Sequence, residues 1–212
     1  MSASDPRFIE PEEEQACLDT IERWVQKEVR PVVMEHDHGD IWPEKLVHQM
    51  AELGLFGATI GREYGGLGLP ASTYVKIIAY ISSYWMAITG IVNSHLIMAA
   101  AVERFGTEAQ KAKWLPVFAT GAIRGGLALT EPHAGPDLQA IRTLAQREGD
   151  EYVINGTKTW ISNGIQGSCF SLLVKTDPKA DPRYKGMSLM IAPKGEGFHV
   201  GKKFDKLGYK SI

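Results

Sequence analysis

The sequence is poor in cysteine and has no excess of positive charge. Its 212 residues include two cysteines, Cys17 and Cys169, and 23 Lys and Arg stand against 25 Asp and Glu, a formal net charge of −2. The two cysteines have neither metal-ligand nor redox spacing, so we interpret both as small core residues. Without a basic surface the protein is a poor match for nucleic acid, and we expect no nucleic-acid partner.

Targeting signals are also not evident. The segment 1–14 is polar and acidic, whereas signal and transit peptides are positively charged. One apolar run, 84–102, is long enough to cross a membrane, but Asn93, Ser94 and His95 lie near its middle. Three polar side chains are costly in lipid, so we predict a buried core helix and no membrane partner.

The part of the sequence before Gly121 has helical periodicity. Cys17, Ile21, Val25 and Val29 follow three-to-four spacing, behind an acidic start. We predict five helices: one ended or kinked by Pro31, one opened by Pro43 and stopped by Gly54, one over 72–83, one over 84–105 with Gly106 as its cap, and one opened by a capping box of Thr107 and Gln110.

After Gly121 the apolar period changes to two. Asn155-Gly156 is a strong hairpin signal, and it predicts a turn between strands 152–154 and 158–161. Further strands are predicted at about 126–129, 141–146, 170–175 and 187–192, and an exposed loop at 177–185. Because helices precede strands instead of alternating with them, the sequence predicts an α+β protein with a helical domain followed by a β domain.

Three candidate sites are weak. The glycine-rich segment 63–68 lacks the surrounding βαβ unit and the Lys-Ser/Thr of a phosphate loop, and we interpret it as a loop between helices. The segment 35–38, Glu-His-Asp-His, is interpreted as a solvated loop without a metal, since no further ligand cluster accompanies it. His95 is either a core histidine or part of a ligand pocket.

Two segments carry more chemical information. A strand over Leu127 and Leu129 ends at Thr130 in a turn rich in Pro and Gly, where backbone groups and a hydroxyl are available to a planar heterocycle such as the isoalloxazine ring. Some thirty residues later, Trp160 offers an aromatic face and Ser162 a second hydroxyl. Taken alone, these residues are better explained as a strand turn and a core tryptophan.

Their order and spacing decide between these interpretations. The whole string resembles the acyl-CoA dehydrogenase family, and the resemblance covers nearly the entire chain. It is carried by the segments 63–66 (EYGG), 105–111 (FGTEAQK), 114–116 (WLP), 129–135 (LTEPHAG), 154–158 (INGTK), 160–164 (WISNG), 186–190 (GMSLM) and 195–198 (GEGF).

The resemblance implies a helical N-terminal domain over 1–122 and an antiparallel, barrel-like middle domain over 123–212, with the family's C-terminal four-helix bundle absent. It implies FAD as cofactor, an acyl-CoA thioester as substrate, an electron-transfer flavoprotein or another electron acceptor, a homotetramer or homodimer, and a cytoplasmic or mitochondrial-matrix location. The family's flavin-binding positions correspond to Leu127, Leu129, Thr130, Pro136, Trp160, Ile161 and Ser162, and its substrate-binding positions to Pro136, Val92 and His95.

The resemblance also implies a mechanism. In the family a Glu removes the α-proton of the thioester while the β-hydride passes to flavin N5. That base is expected beyond Ile212, so no catalytic residue is assigned, and Glu131 is interpreted as bracing its turn. An acyl-CoA oxidase, a flavin monooxygenase and a non-catalytic flavin- or acyl-CoA-binding protein remain alternatives. Pro136 stands where the family usually has Ser or Thr, and it supplies neither hydroxyl nor N–H.

Overall fold

The computed structural model describes residues 8–212, so the first seven residues of the predicted acidic N-terminus lie outside it. The part before residue 122 is helical. Its helices are α1 (Pro11–Trp24), α2 (Val33–Gly39), α3 (Glu44–Glu52), α4 (Ala71–Phe105) and α5 (Glu108–Ala119), with a π-helical turn at Val25–Val29 and short 3-10 turns at Leu55–Gly57 and Arg62–Tyr64.

Helix α4 is the centre of the helical half. It is long and apolar enough to span a membrane, yet 67% of its most apolar 18-residue window is buried inside the protein. Helices α1, α2 and α5 pack against it, and the largest buried side chains include Phe56, Ile88 and Phe118. The prediction of a buried core helix is therefore confirmed.

Several helix ends follow from local sequence. Thr107 and Gln110 form the predicted capping box, and Gly54 stops α3 with φ of 71°, a conformation that glycine adopts without strain. Gly106 is the C-cap of α4, as predicted, and its backbone is extended (φ −70°, ψ 153°). The two helices predicted over 72–105 are one element, interrupted by non-helical dihedral angles at Trp85.

The segment 35–38, predicted to be a loop, is part of helix α2. Its Asp37 carboxylate accepts a hydrogen bond of 3.0 Å from the Trp85 indole, at the interruption of α4. This short helix therefore contacts a tryptophan that is distant in the chain, and hydrophobic periodicity does not reveal such a contact.

The β half is one mixed sheet. Its strands are β1 (Gly125–Ala128), β2 (Leu144–Glu148), β3 (Glu151–Asn155), β4 (Cys169–Lys175) and β5 (Met187–Pro193). Strand β4 is central: it pairs antiparallel with all of β5, parallel with β1 (Gly125 opposite Cys169), and parallel with β2 at one position. The α+β organisation is confirmed, whereas purely antiparallel pairing is not, because β1 and β4 run in the same direction.

The predicted hairpin at Asn155-Gly156 is wrong. The hairpin is formed by β2 and β3 around Gly149, whose φ is 64°, and 158–161 is not a strand. Gly156 serves packing instead of turning, since a Cβ there would lie 2.3 Å from the Thr143 hydroxyl oxygen. The glycine at position 156 is therefore explained by the close approach of two chain segments and not by a turn.

Candidate functional site

The end of β1 and the segment 158–162 lie side by side. The Thr159 amide donates a 2.9 Å hydrogen bond to the Thr130 carbonyl, and Lys158 Nζ donates one of 2.8 Å to the Leu129 carbonyl. Leu127, Leu129 and Thr130 are half-buried. The two segments that the sequence singled out, about thirty residues apart in the chain, are thus brought together as one surface.

Glu131 holds this arrangement in place. Its side chain is 3% exposed, and its carboxylate accepts hydrogen bonds from the Arg142 amide (2.6 Å), from the amide and hydroxyl of Thr143, and from Lys158 Nζ (2.9 Å). One carboxylate therefore ties the end of β1 to the start of β2 and to the segment 158–162. The interpretation of Glu131 as a brace is confirmed.

The hydrogen-bond donors around Glu131 lower its pKa and keep its carboxylate ionised. Burial raises the pKa of Glu131, but the hydrogen bonds from Thr143, Lys158 and the two amides outweigh it and bring that pKa to about 2. Burial lowers the pKa of Lys158, and the carboxylate opposes this. Glu131 is thus ionised near neutral pH and fully bonded, which makes it a poor proton acceptor for a substrate.

The turn after Glu131 closes on itself. Glu131 and Ala134 exchange backbone hydrogen bonds of 2.8 and 3.1 Å, so the chain reverses within four residues. Pro136 follows on the exposed side of this turn, and its carbonyl accepts a 3.2 Å hydrogen bond from the Leu138 amide. At Pro136 the chain presents a carbonyl but no backbone donor to the surroundings.

Trp160 presents an aromatic face at the surface. Its φ is 58°, in the left-handed region that a bulky residue seldom adopts, and its side chain is 63% exposed. One face of the indole is stacked on Phe204, with ring centroids 4.2 Å apart and an angle of 21° between the planes. Sequence reasoning did not find Phe204, because an aromatic residue in a polar segment 44 positions away carries no pattern.

Two residues of these joined segments carry hydroxyl groups. Thr130 and Ser162 are both half-buried, and within residues 8–212 neither hydroxyl makes a hydrogen bond to another protein group. Ile161, between Trp160 and Ser162, is half-buried, and its carbonyl accepts from the Gly164 amide at 3.0 Å. The surface therefore combines an exposed aromatic plane with two available hydroxyl groups, a set suited to a flat, polar-edged ligand.

Val92 and His95 lie elsewhere. Both are buried in the helical core, and the His95 ring is fully covered and makes edge contacts with Phe56 and Phe118. Its Nε2 donates a 2.9 Å hydrogen bond to the Phe118 carbonyl, and burial lowers its pKa to about 4. The structure places both residues in the core, so it does not support their assignment to a substrate pocket; the alternative of a core histidine holds.

Comparisons with known proteins agree with this architecture. Residues 11–122 match the acyl-CoA dehydrogenase N-terminal domain, and residues 126–212 match the acyl-CoA dehydrogenase middle domain. Acryloyl-CoA reductase (NADH) from Anaerotignum propionicum is 39% identical over 202 residues, which cover 92% of this chain and 50% of that protein.

Solved structures give the same result. The acyl-CoA dehydrogenase of Geobacillus kaustophilus superposes with a TM-score of 0.87 at 33% identity, over 96% of this chain and 53% of that one. A glutaryl-CoA dehydrogenase from Mycobacterium smegmatis in complex with FADH2 superposes with a TM-score of 0.84 at 26% identity, over 97% and 52%. The chain spans about half the length of these relatives, and it belongs to the acyl-CoA dehydrogenase family.

Proposed function

We propose that this chain is the flavin-facing part of an FAD-dependent acyl-CoA dehydrogenase, which desaturates an acyl-CoA thioester between its α and β carbons. The observation that carries the proposal is the joined surface of β1 and the segment 158–162. It brings Thr130, at the end of β1, together with the segment that carries the exposed Trp160 ring and Ser162, in a chain whose two halves match the family.

The residues present fit FAD. The isoalloxazine ring has a polar pyrimidine edge and two apolar faces, and the surface offers an exposed indole and two hydroxyl groups that have no hydrogen-bond partner among residues 8–212. We assign Leu127, Leu129, Thr130, Trp160, Ile161 and Ser162 to holding the ring, and Pro136 to the edge of the site. When bound, FAD supplies the acceptor for the β-hydride.

The residues of this chain would orient the ring, and they do not supply the base. Thr130 and Ser162 would hold the polar edge of the ring by hydrogen bonds, and the Glu131–Lys158 pair keeps the two segments together. Glu131 cannot remove the α-proton, because it is buried against four donors with its pKa near 2. We therefore assign no catalytic residue within these 212 residues.

The remaining parts of the proposal concern the setting. A homo-oligomer, a dimer or tetramer, in the cytoplasm or in the mitochondrial matrix of a eukaryote is proposed, with an electron-transfer flavoprotein or another acceptor reoxidising the flavin. These assignments come from the family resemblance, and the chemistry of the described surface is compatible with them, since an exposed ring site has to be enclosed by further protein to exclude water.

The test is anaerobic titration of the protein, expressed from its full reading frame and loaded with FAD, with short, medium, long and branched acyl-CoAs. A dehydrogenase or oxidase is bleached by a suitable acyl-CoA alone, because the proton and the hydride both come from the thioester. Subsequent rapid reoxidation by oxygen would identify an oxidase. Bleaching by NADH but by no acyl-CoA would contradict the proposal and favour a monooxygenase, and bound but unreducible flavin would favour a binding protein.

A further inference from the structure

The Asn163 side chain connects the two halves of the molecule. Its Nδ2 donates one hydrogen bond of 2.9 Å to the Ile91 carbonyl in α4 and another of 2.8 Å to the Gly125 carbonyl at the start of β1. The side chain is buried, with 2% of the residue exposed. A single amide group is thus shared between the central helix and the first strand.

The orientation of this amide is determined by its partners. Two carbonyl oxygens accept from one NH2 group, so turning the amide around would place Oδ1 against both of them. Oδ1 itself is buried and has no hydrogen-bond partner within residues 8–212. A buried acceptor left unpaired is costly, and its retention indicates that the two donated bonds outweigh that cost.

The Asn163 backbone also determines the path of the loop. Its φ is 61°, a left-handed conformation that asparagine adopts more readily than most residues, and its carbonyl accepts a 2.7 Å hydrogen bond from the Gly167 amide. The loop therefore turns at Asn163, immediately after Ser162. Any rotation of this residue changes the direction from which Trp160 and Ser162 reach the surface.

The loop packs closely against β1 and α4 at Gly126. A Cβ at Gly126 would lie 2.9 Å from the Ser162 carbonyl oxygen and 3.3 Å from Ser94 Cβ, so strand, loop and helix meet at close range there. Glycine at this position allows the approach. A change in the spacing of α4 and β1 is consequently transmitted to Ser162 rather than absorbed by empty space.

We propose that Asn163 is a positioning residue: it fixes the Trp160–Ser162 segment against α4 and β1, and so sets the geometry with which that segment meets the flavin. The flavin part of this inference rests on the proposed function. The positioning part rests only on the two side-chain hydrogen bonds, the backbone conformation and the close contact at Gly126.

Two variants separate the side chain from the backbone. Asn163→Gly tolerates the left-handed conformation but lacks the amide, and Asn163→Asp keeps the shape but replaces both donors by a carboxylate facing two carbonyl oxygens. The matched control is Thr73→Ala, which removes the side-chain hydrogen bond of another buried residue, to Glu14, near the start of α4 and far from the loop. Each protein is expressed from its full reading frame and measured below the onset of its thermal unfolding.

The first readout is hydrogen exchange of the flavin-free protein. We expect the amides of Thr159, Gly164 and Gly167 to exchange about tenfold faster or more in both Asn163 variants and at an unchanged rate in Thr73→Ala. The second is FAD affinity, which we expect to weaken by about tenfold or more in the Asn163 variants and by less than about twofold in the control.

The outcomes distinguish the two proposals. Unchanged loop exchange in Asn163→Gly overturns the positioning role. Faster exchange with unchanged FAD affinity overturns the link between this residue and the flavin. If the unmodified protein binds no FAD while its loop exchange still responds to Asn163→Gly, the proposed function fails and the positioning of the loop stands. A fall in FAD affinity of equal size in Thr73→Ala would reduce Asn163 to a general stability effect.

Discussion

The helical half buries 26 of the hydrophobic residues in the described part of the chain, from Ile21 to Ala119, whereas the β half buries seven. Both halves also bury polar side chains, but three of those in the β half lie beside the candidate site: Glu131, Thr143 and Asn163 are each at most 3% exposed. The helical half is thus stabilised mainly by apolar packing, whereas the β half depends more on a small number of polar contacts.

This difference matters for function. A surface that binds a polar-edged ring needs hydrogen-bonding groups at fixed positions, and a thin sheet with few large side chains does not fix them by packing. The pair of Glu131 and Lys158 and the amide of Asn163 provide that rigidity. We therefore expect stability and ligand binding to be coupled in the β half and separable in the helical half.

The largest effect is expected for Glu131→Ala. Removing this carboxylate leaves Lys158, whose side chain is 9% exposed, buried without its counter-ion, and the free energy of unfolding should fall by about 3–5 kcal/mol. Glu108→Ala is the control: Glu108 contacts Lys111 at 2.8 Å, nearly the distance of the buried pair, but its side chain is 83% exposed, so little loss is expected. Urea unfolding of both variants measures the difference, and similar losses would contradict the comparison.

A related effect depends on pH. The pKa of Glu131 is about 2 in the folded protein, compared with 4.5 for an unperturbed Glu in an unfolded chain, so the ionised carboxylate favours folding. The stabilisation, roughly 3 kcal/mol, is complete above about pH 5 and is lost as the pH falls through 4.5 toward 2. The gap in unfolding free energy between the unmodified protein and Glu131→Gln should therefore shrink between neutral pH and about pH 3. A constant gap would assign the effect of Glu131 to shape instead of charge.

The same contrast explains what the sequence reveals. The capping box at Thr107, the stop at Gly54 and the core character of α4 were predicted correctly, because each depends on residues close together in the chain. The segment 158–161 was predicted as a strand because its residues favour strands. Trp160 instead takes a left-handed conformation, which strand propensity does not reveal. Likewise, Gly156 is required by its contact with Thr143, and no local pattern distinguishes this from a turn.

Like the fold, the candidate site was predicted from the sequence only in part. Thr130, Trp160 and Ser162 were selected by the order of motifs, and the structure brings them together, although their assignment to the flavin remains a prediction. Phe204 and the partners of Asn163 could not be found, since they lie 44, 72 and 38 positions away in the chain. Val92 and His95 were assigned through the resemblance, whereas their burial depends on how α4 is oriented in the fold.

A smaller effect is expected for flavin binding. Trp160→Ala should weaken FAD binding more than Thr130→Ala, since losing a ring contact costs about 1.5–3 kcal/mol and losing one hydroxyl hydrogen bond about 0.5–1.5 kcal/mol. Titration of FAD into both flavin-free variants measures the difference. Tyr152→Ala removes another exposed aromatic ring of the β half and should leave the affinity unchanged. Equal affinities for the two site variants would show that Trp160 does not contact the ring.

The smallest effect is expected for Pro136→Ser, which tests whether the exposed end of the site follows the family pattern. Serine restores a hydroxyl and a backbone N–H at a position where the chain now offers only a carbonyl. If a water molecule now donates a hydrogen bond to the ligand at this position, a direct donor from the protein should improve the affinity for FAD or acyl-CoA by about 0.5–1.5 kcal/mol, up to roughly tenfold. The unfolded chain gains freedom when proline is lost, so the free energy of unfolding should fall by about 0.4–1 kcal/mol.

The two effects of Pro136→Ser are separable, because the affinity is measured in a ligand titration and the stability in a melting curve. Since Pro136 lies outside the Glu131 network, the substitution should leave the hydrogen exchange of 158–164 unchanged. Weaker binding of both ligands would mean that the turn is shaped around proline, and would point to a ligand other than a conventional acyl-CoA.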